Sequence, residues 1–111
     1  MRVSYRETAS DDVVRQFRYY LVALNLPEVA IRFKAAVRQT VQALREHPLS
    51  GPRYRSRDPR FKALRTWPVV GLEAIPIYYL VDEEQETLRI FRILRGKRDV
   101  KRILDSESRN L

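Results

Sequence analysis

The chain has 111 residues with no cysteine and one histidine, His47, which excludes a disulfide framework, a thiolate metal site and a metal centre built on histidines. Its 22 Lys and Arg against 14 Asp and Glu give a net charge of +8. A field of that strength on a small domain favours an anionic partner, either nucleic acid or an acidic protein segment.

The opening residues, MRVSYRETASDD, lack the apolar core of a signal peptide. No later run approaches the ~20 apolar residues of a membrane span, so a cytoplasmic protein without membrane contact is expected. Arg2 to Arg6 alternates, with Val3 and Tyr5 on one side and Arg2, Ser4 and Arg6 on the other, which predicts a short half-exposed strand. Thr8, Ser10 or Asp11 can cap the helix that follows, and Asp11 and Asp12 suit its positive end. Val14, Phe17, Leu21 and Leu24 form its apolar stripe, widened by Val13 and Tyr20, and Asn25 ends it.

Pro27 fits the first position of a second helix, with Glu28 in its first turn. Ala30, Phe33, Val37, Val41 and Leu44 face inward; Arg32, Lys34, Arg38 and Arg45 take the outer face; Pro48 stops the helix. The link between the two helices is so short that they fold back as an antiparallel hairpin. Pro48 to Asp58 reads as a loop carrying Arg53, Arg55 and Arg57. Phe61 to Trp67 is strand-like, and a connection around Gly71 follows. In Ile75 to Val81 both alternating sets are apolar, so this strand is covered on both faces. Pro76 inside it predicts a bulge or an open edge. Asp82 to Glu86 is a polar hairpin turn.

From Leu88 the chain reads LRIFRILRGKRDVKRIL. Ile90, Phe91, Ile93 and Leu94 belong in a core strand, Gly96 breaks it, and Val100, Ile103 and Leu104 return to helical spacing. Arg95, Lys97, Arg98, Lys101 and Arg102 cannot all be buried, so the strand ends by presenting cations at the surface. The order predicts one domain over residues 1–111. It is a two-layer α+β fold: an N-terminal strand, an antiparallel helical hairpin packed on an antiparallel β-sheet meander, and a short basic C-terminal helix.

Landmarks in that order resemble the RelE/ParE superfamily of toxins from type II toxin–antitoxin modules, on its ParE side. They are the aromatic-rich first helix near Tyr20; Ala30 and Phe33; Pro48-Leu49-Ser50-Gly51; Leu64-Arg65; Tyr79; and Arg92 to Asp99. The resemblance spans essentially the whole chain. It implies one of two activities: poisoning DNA gyrase, as in the ParE branch, or cutting mRNA in the ribosome, as in the RelE branch. It also implies an antitoxin whose extended segment wraps the toxin. That partner is expected to be encoded by an adjacent gene and to be acidic where it binds.

Cutting RNA needs a base, an acid and cations around the phosphate. The RelE set maps incompletely. Arg98 matches the arginine after Gly-Lys, but Pro76 replaces an arginine, Phe61 and Ala63 stand at lysine positions with Lys62 between them, and no Tyr or His follows Arg98. His47 reads as a cation near a helix C-terminus. Arg65 and Arg98 each have two readings, a contact to target phosphate or acid and a structural pairing. Trp67 reads as edge-of-core packing or as a partner anchor. The leading expectation is a gyrase-binding toxin that is not an enzyme and uses no cofactor or metal. Its binding set is Arg65, Arg92, Arg95, Lys97, Arg98, Lys101 and Arg102. The alternatives are an mRNA endonuclease drawing on Arg65, Tyr78, Arg95 and Arg98, and an inactive or plain basic nucleic-acid-binding module.

Overall fold

The structure is a computed structural model and describes residues 1–96 and 100–107. Strand β1 (Arg2–Tyr5) leads into helix α1 (Glu7–Arg18), which ends in a π-helical turn at Tyr19–Ala23. Helix α2 (Pro27–Glu46) runs back, with Asn25 in the left-handed conformation (φ 50°) reversing the chain. A long loop with a 3-10 turn at Pro59–Phe61 precedes strands β2 (Arg65–Val69), β3 (Leu72–Asp82) and β4 (Thr87–Ile93). Helix α3 (Val100–Glu107) closes the described chain. None of these helices is long and apolar enough to cross a membrane.

The sheet order is β1-β4-β3-β2. The three consecutive strands form the expected antiparallel meander. β1 joins the free edge of β4 in parallel, from Arg2 opposite Thr87 to Tyr5 opposite Ile90. Its parallel sense makes the sheet mixed. Pro76 lies opposite Pro68, and the β2–β3 register breaks next to that pair, between Pro68 and Val69. A second break, between Tyr78 and Tyr79, leaves Phe91 of β4 without a counterpart. The irregularity expected at Pro76 is therefore present on the β2 side, and the break on the β4 side falls at Tyr78 and Tyr79 instead.

The helical hairpin covers one sheet face. The α2 residues Ala30, Phe33, Val37, Val41 and Leu44 are all buried, against Ile75, Ile77, Tyr79, Leu88, Ile90 and Ile93. α1 departs from its expected stripe: Val14, Leu21 and Leu24 are exposed. The inward ridge is instead Ala9, Asp12 and Tyr20, with Val13 and Phe17 half-buried. A buried acid on the ridge breaks the apolar periodicity that marks a core-facing stripe. Nor do Thr8, Ser10 or Asp11 cap α1. Arg6 stands at the cap position in extended conformation, with no side-chain cap bond. The chain enters α1 straight from the sheet, where the Arg6 N–H donates to the Ile90 carbonyl at 3.0 Å.

The opposite sheet face carries a smaller second core of Phe61, Leu64, Tyr78, Phe91, Leu94 and Leu104. The 54–64 loop and α3 cover it, which adds a partial third layer to the two expected. Tyr54 stands edge-on to both Phe61 and Tyr78, with centroids 5.7 and 5.6 Å apart.

Candidate functional site

The end of β4 separates two open grooves. Leu94 donates its N–H to the Pro76 carbonyl at 3.3 Å, and Gly96 donates to the Ala74 carbonyl at 2.7 Å, so pairing with β3 continues past the strand's formal end. Gly96 has φ +71°, the left-handed conformation that lets the chain leave the sheet here. On the second-core face lies a groove of about 690 Å³, lined among others by Arg53, Tyr54, Arg55, Glu73, Tyr78 and Lys101. On the α1 side lies one of about 350 Å³ that includes Arg15, Gln16, Tyr19, Arg95 and Ile103.

The larger groove owes its shape to a motif visible in the sequence. The Tyr79 hydroxyl accepts from the Gly51 N–H and donates to the Pro48 carbonyl, both at 2.9 Å. A Cβ on Gly51 would stand 2.4 Å from that hydroxyl and 2.7 Å from the Thr66 carbonyl oxygen, so only glycine fits. The Pro48-to-Gly51 turn is thereby fastened to the buried centre of β3. Burial pushes the Tyr79 phenol above its ordinary pKa, with the Gly51 bond and Arg65 acting the other way. Thr66 donates to the Pro52 carbonyl at 3.0 Å and Tyr54 to the Leu64 carbonyl at 2.8 Å, which lays the loop along the edge of β2.

Among the described residues, those expected to bind a target do not form one cluster. Arg65 is half-buried and donates from Nη1 to the Gly51 carbonyl at 2.8 Å, so it holds the loop. Arg92 is a correction: it is buried, and its Nε and Nη2 donate to Asp12 at 2.7 and 2.8 Å. A guanidinium withdrawn from water in this way needs its carboxylate, which makes Arg92 part of the scaffold. Arg95, three residues on, is exposed, with its guanidinium 5.3 and 5.4 Å from the ring centroids of Tyr19 and Tyr20. Lys101 and Arg102 are exposed, and Lys101 lines the larger groove. Lys97, Arg98 and Asp99 lie outside the described residues. Trp67 is 36% exposed, at the outer edge of β2. His47 is exposed at the end of α2.

Asp12, read from sequence only as a helix-end charge, is the residue that sequence reasoning missed. Its carboxylate also accepts from the Ile93 N–H at 3.0 Å and pairs with Arg15. The Gln16 side-chain amide donates to the Ile93 carbonyl at 2.8 Å. α1 side chains thus take the place of a neighbouring strand where β1 has left the edge of β4. The one signal in the sequence is the i, i+4 placement of Asp12 and Gln16 on the ridge that includes Ala9 and Tyr20.

Tyr78 is the proton carrier weighed for RNA cleavage. Its side chain is buried, and its pKa is pushed up to about 12, first by burial and then by Tyr54. A phenol held protonated that far above neutrality is a poor general base. The larger groove therefore offers cations, aromatic surface and the Glu73 carboxylate, with Tyr78 tuned away from proton transfer.

The family model described as the ParE toxin of a type II toxin–antitoxin system, parDE, matches residues 3–100. Among solved structures, the chain is similar to one described as the chromosomal ParDE system from P. aeruginosa. The TM-score is 0.67 at 23% identity, over 87% of this chain and 97% of that one. It is also similar to the isolated E. coli RelE toxin, with TM-score 0.52 at 12% identity over 99% and 98% of the two chains. At those identities the structural likeness concerns the fold. No curated protein sequence gives a significant match.

Proposed function

The chain belongs to the ParE toxin family of type II toxin–antitoxin systems, and on that premise we propose that it poisons DNA gyrase and is silenced by a cognate antitoxin. The observation carrying the choice of gyrase over mRNA is the state of Tyr78. It lines the larger groove beside Arg53, Arg55 and Lys101, yet its pKa of about 12 removes it as a base. Two further nuclease candidates are engaged elsewhere, Arg65 on the Gly51 carbonyl and Arg95 over Tyr19 and Tyr20. Cations and aromatic faces, with Tyr78 unable to serve as a base, suit binding an anionic surface. The toxin then acts by stabilising a gyrase–DNA intermediate and performs no chemistry of its own.

The test is gyrase supercoiling run beside ribosome-dependent mRNA cleavage with the purified chain. Inhibited supercoiling with accumulating cleaved DNA, and intact mRNA, is the expected outcome. Unimpaired supercoiling at stoichiometric excess overturns the proposal. Codon-positioned cuts in the mRNA would move the chain to the RelE-like alternative, and unaffected growth on induction without the antitoxin would mark an inactive binding module.

A further inference from the structure

We propose that the larger groove is a site for a guanine nucleotide, with the base lying on the sheet and the phosphate meeting Arg53, Arg55 and Lys101. This refines the reading above of that groove as an anion-binding surface, and rests on it. The floor comes from strand alternation. Pro68 of β2 stands opposite Pro76 of β3, and Thr66 stands opposite Tyr78. Tyr78 belongs to the second core, so its cross-strand and alternate neighbours share that face. Pro68, Ala74 and Pro76 line the groove there. Their side chains carry no polar atom, and two proline rings make a rigid, shallow surface. On the helix-covered face the same part of β3 carries Ile75, Ile77 and Tyr79, all buried. The groove is thus a flat apolar piece of sheet left uncovered.

Tyr54, half-buried, completes the apolar half. Its ring is inclined at 78° to that of Tyr78, so a planar group lying along one ring meets the other edge-on. The charged half lies on either side. Arg53 and Arg55 flank Tyr54 in the loop, Lys101 comes from α3, and all three are exposed. Arg53 makes one long bond of 3.3 Å to the Lys62 carbonyl. Cations beside an apolar, aromatic surface match the two halves of a nucleotide. The groove's volume of about 690 Å³ lies within the range of roughly 300–1,000 Å³ usual for small-ligand sites.

Glu73 sets the choice of base. It is the one carboxylate among the described lining residues, and it opposes an acidic peptide in this groove. Its two oxygens accept hydrogen bonds side by side. Guanine presents two adjacent N–H donors, at N1 and N2, on one edge. Adenine sets a lone pair at N1 against the carboxylate, and thymine and uracil flank their single N–H with carbonyls. The guanine edge that fits is already paired in a duplex. The occupant is therefore a free nucleotide or an unpaired strand end, which share this chemistry.

The experiment is calorimetric titration of the full chain with GMP, with AMP, and with a phosphorylated single strand of thymidines carrying one guanine at its end. GMP should bind with a Kd below about 1 mM and about 5-fold more tightly than AMP. Arg55→Glu should weaken GMP binding about 10-fold, with Arg57→Glu, the same charge change on an exposed loop residue outside the groove, within about 3-fold of wild type. Glu73→Gln should bind GMP and AMP about equally. Tighter binding of the strand than of GMP supports a strand end as the occupant, and the reverse order supports a free nucleotide. No binding of either guanine probe at ~1 mM, equal losses in the two arginine variants, or equal binding of GMP and AMP by the unaltered chain overturns the proposal. Amide shifts in the unaltered chain give a readout independent of any variant's folding. Shifts at residues 73–78 on adding GMP support the site, and shifts confined to α1 contradict it. The supercoiling assay is read separately. Inhibited supercoiling without nucleotide binding overturns the site and leaves the gyrase reading intact. Nucleotide binding by a chain that leaves supercoiling unimpaired supports the site and overturns the gyrase reading.

Discussion

On the helix-covered face of the sheet, a 20-residue helix lays Phe33, Val37, Val41 and Leu44 over Ile75, Ile77, Tyr79, Leu88 and Ile90. On the other face, a loop and an 8-residue helix cover Tyr78, Phe91 and Leu94. The strands are the same; the lids differ in length and regularity. A long amphipathic helix matches a sheet face along its extent, and the opening at Ile93 lies beside α1, not under α2. A short helix tethered at Gly96 covers one end and leaves a groove rimmed by Arg53, Arg55 and Lys101. Closure thus supplies stability on one side, and incomplete closure supplies accessible charge on the other.

The comparison is tested most severely at Asp12, where the closed side meets the strand end. Asp12→Ala takes the carboxylate away from the buried Arg92 guanidinium and removes the acceptor for the Ile93 N–H. Breaking a buried pair from one side costs about 3–5 kcal/mol, read as a lower denaturation midpoint in urea. Replacing both partners, as in Asp12→Ala with Arg92→Met, should recover most of that loss, because no uncompensated charge remains. A single variant losing less than ~1 kcal/mol would mean that the pair carries little of the closed side.

A smaller effect is expected on the open side. Leu104 is fully buried, but it sits on the terminal helix. Leu104→Ala should cost about 2 kcal/mol, the low end for a buried leucine, because α3 can loosen without disturbing α2. Hydrogen exchange should show α3 amides losing protection while those of α2 keep it. Equal loss of protection in both helices would show that the two cores unfold as one unit.

The same contrast explains what could be read in advance. α2 was legible because its inward residues are apolar except for Thr40, and Ile75 to Val81 because both of its faces are apolar. α1 was not, because its decisive inward residue is an acid whose partner lies 80 positions away in the sequence. Local spacing cannot see that pairing. For the same reason Arg92 and Arg95 look alike in the sequence, although one is sealed against Asp12 and the other lies open over Tyr19. The Pro48-to-Gly51 turn was visible as a loop, whereas its reason, the hydroxyl of Tyr79 pressed against Gly51, exists only once β3 is in place. The parallel docking of β1 left no local mark, since a four-residue alternating strand pairs equally well in either sense.

The gentlest way to sharpen the comparison is alkaline titration, because the second core places a phenol where water reaches only its margin. In the folded chain Tyr78 has a pKa of about 12 against an ordinary 10.0, raised by burial and by Tyr54. The sign follows from linkage. Between those two values the unfolded chain has released the proton and the folded chain still holds it, so unfolding gains with each step in pH. The stability tied to Tyr78 is complete below pH 10.0 and declines as pH rises through about 12. Tyr5 and Tyr79 are also raised by burial, so a spectrophotometric titration should show a late-ionising group of tyrosines. Tyr78→Phe keeps the ring against Tyr54 and removes one proton from that late phase. Its stability should fall less steeply than wild type across this window and match it in slope near neutrality. A Tyr78 that ionised at its ordinary value would mean that water enters the second core freely, and the main argument against proton transfer in the larger groove would be lost.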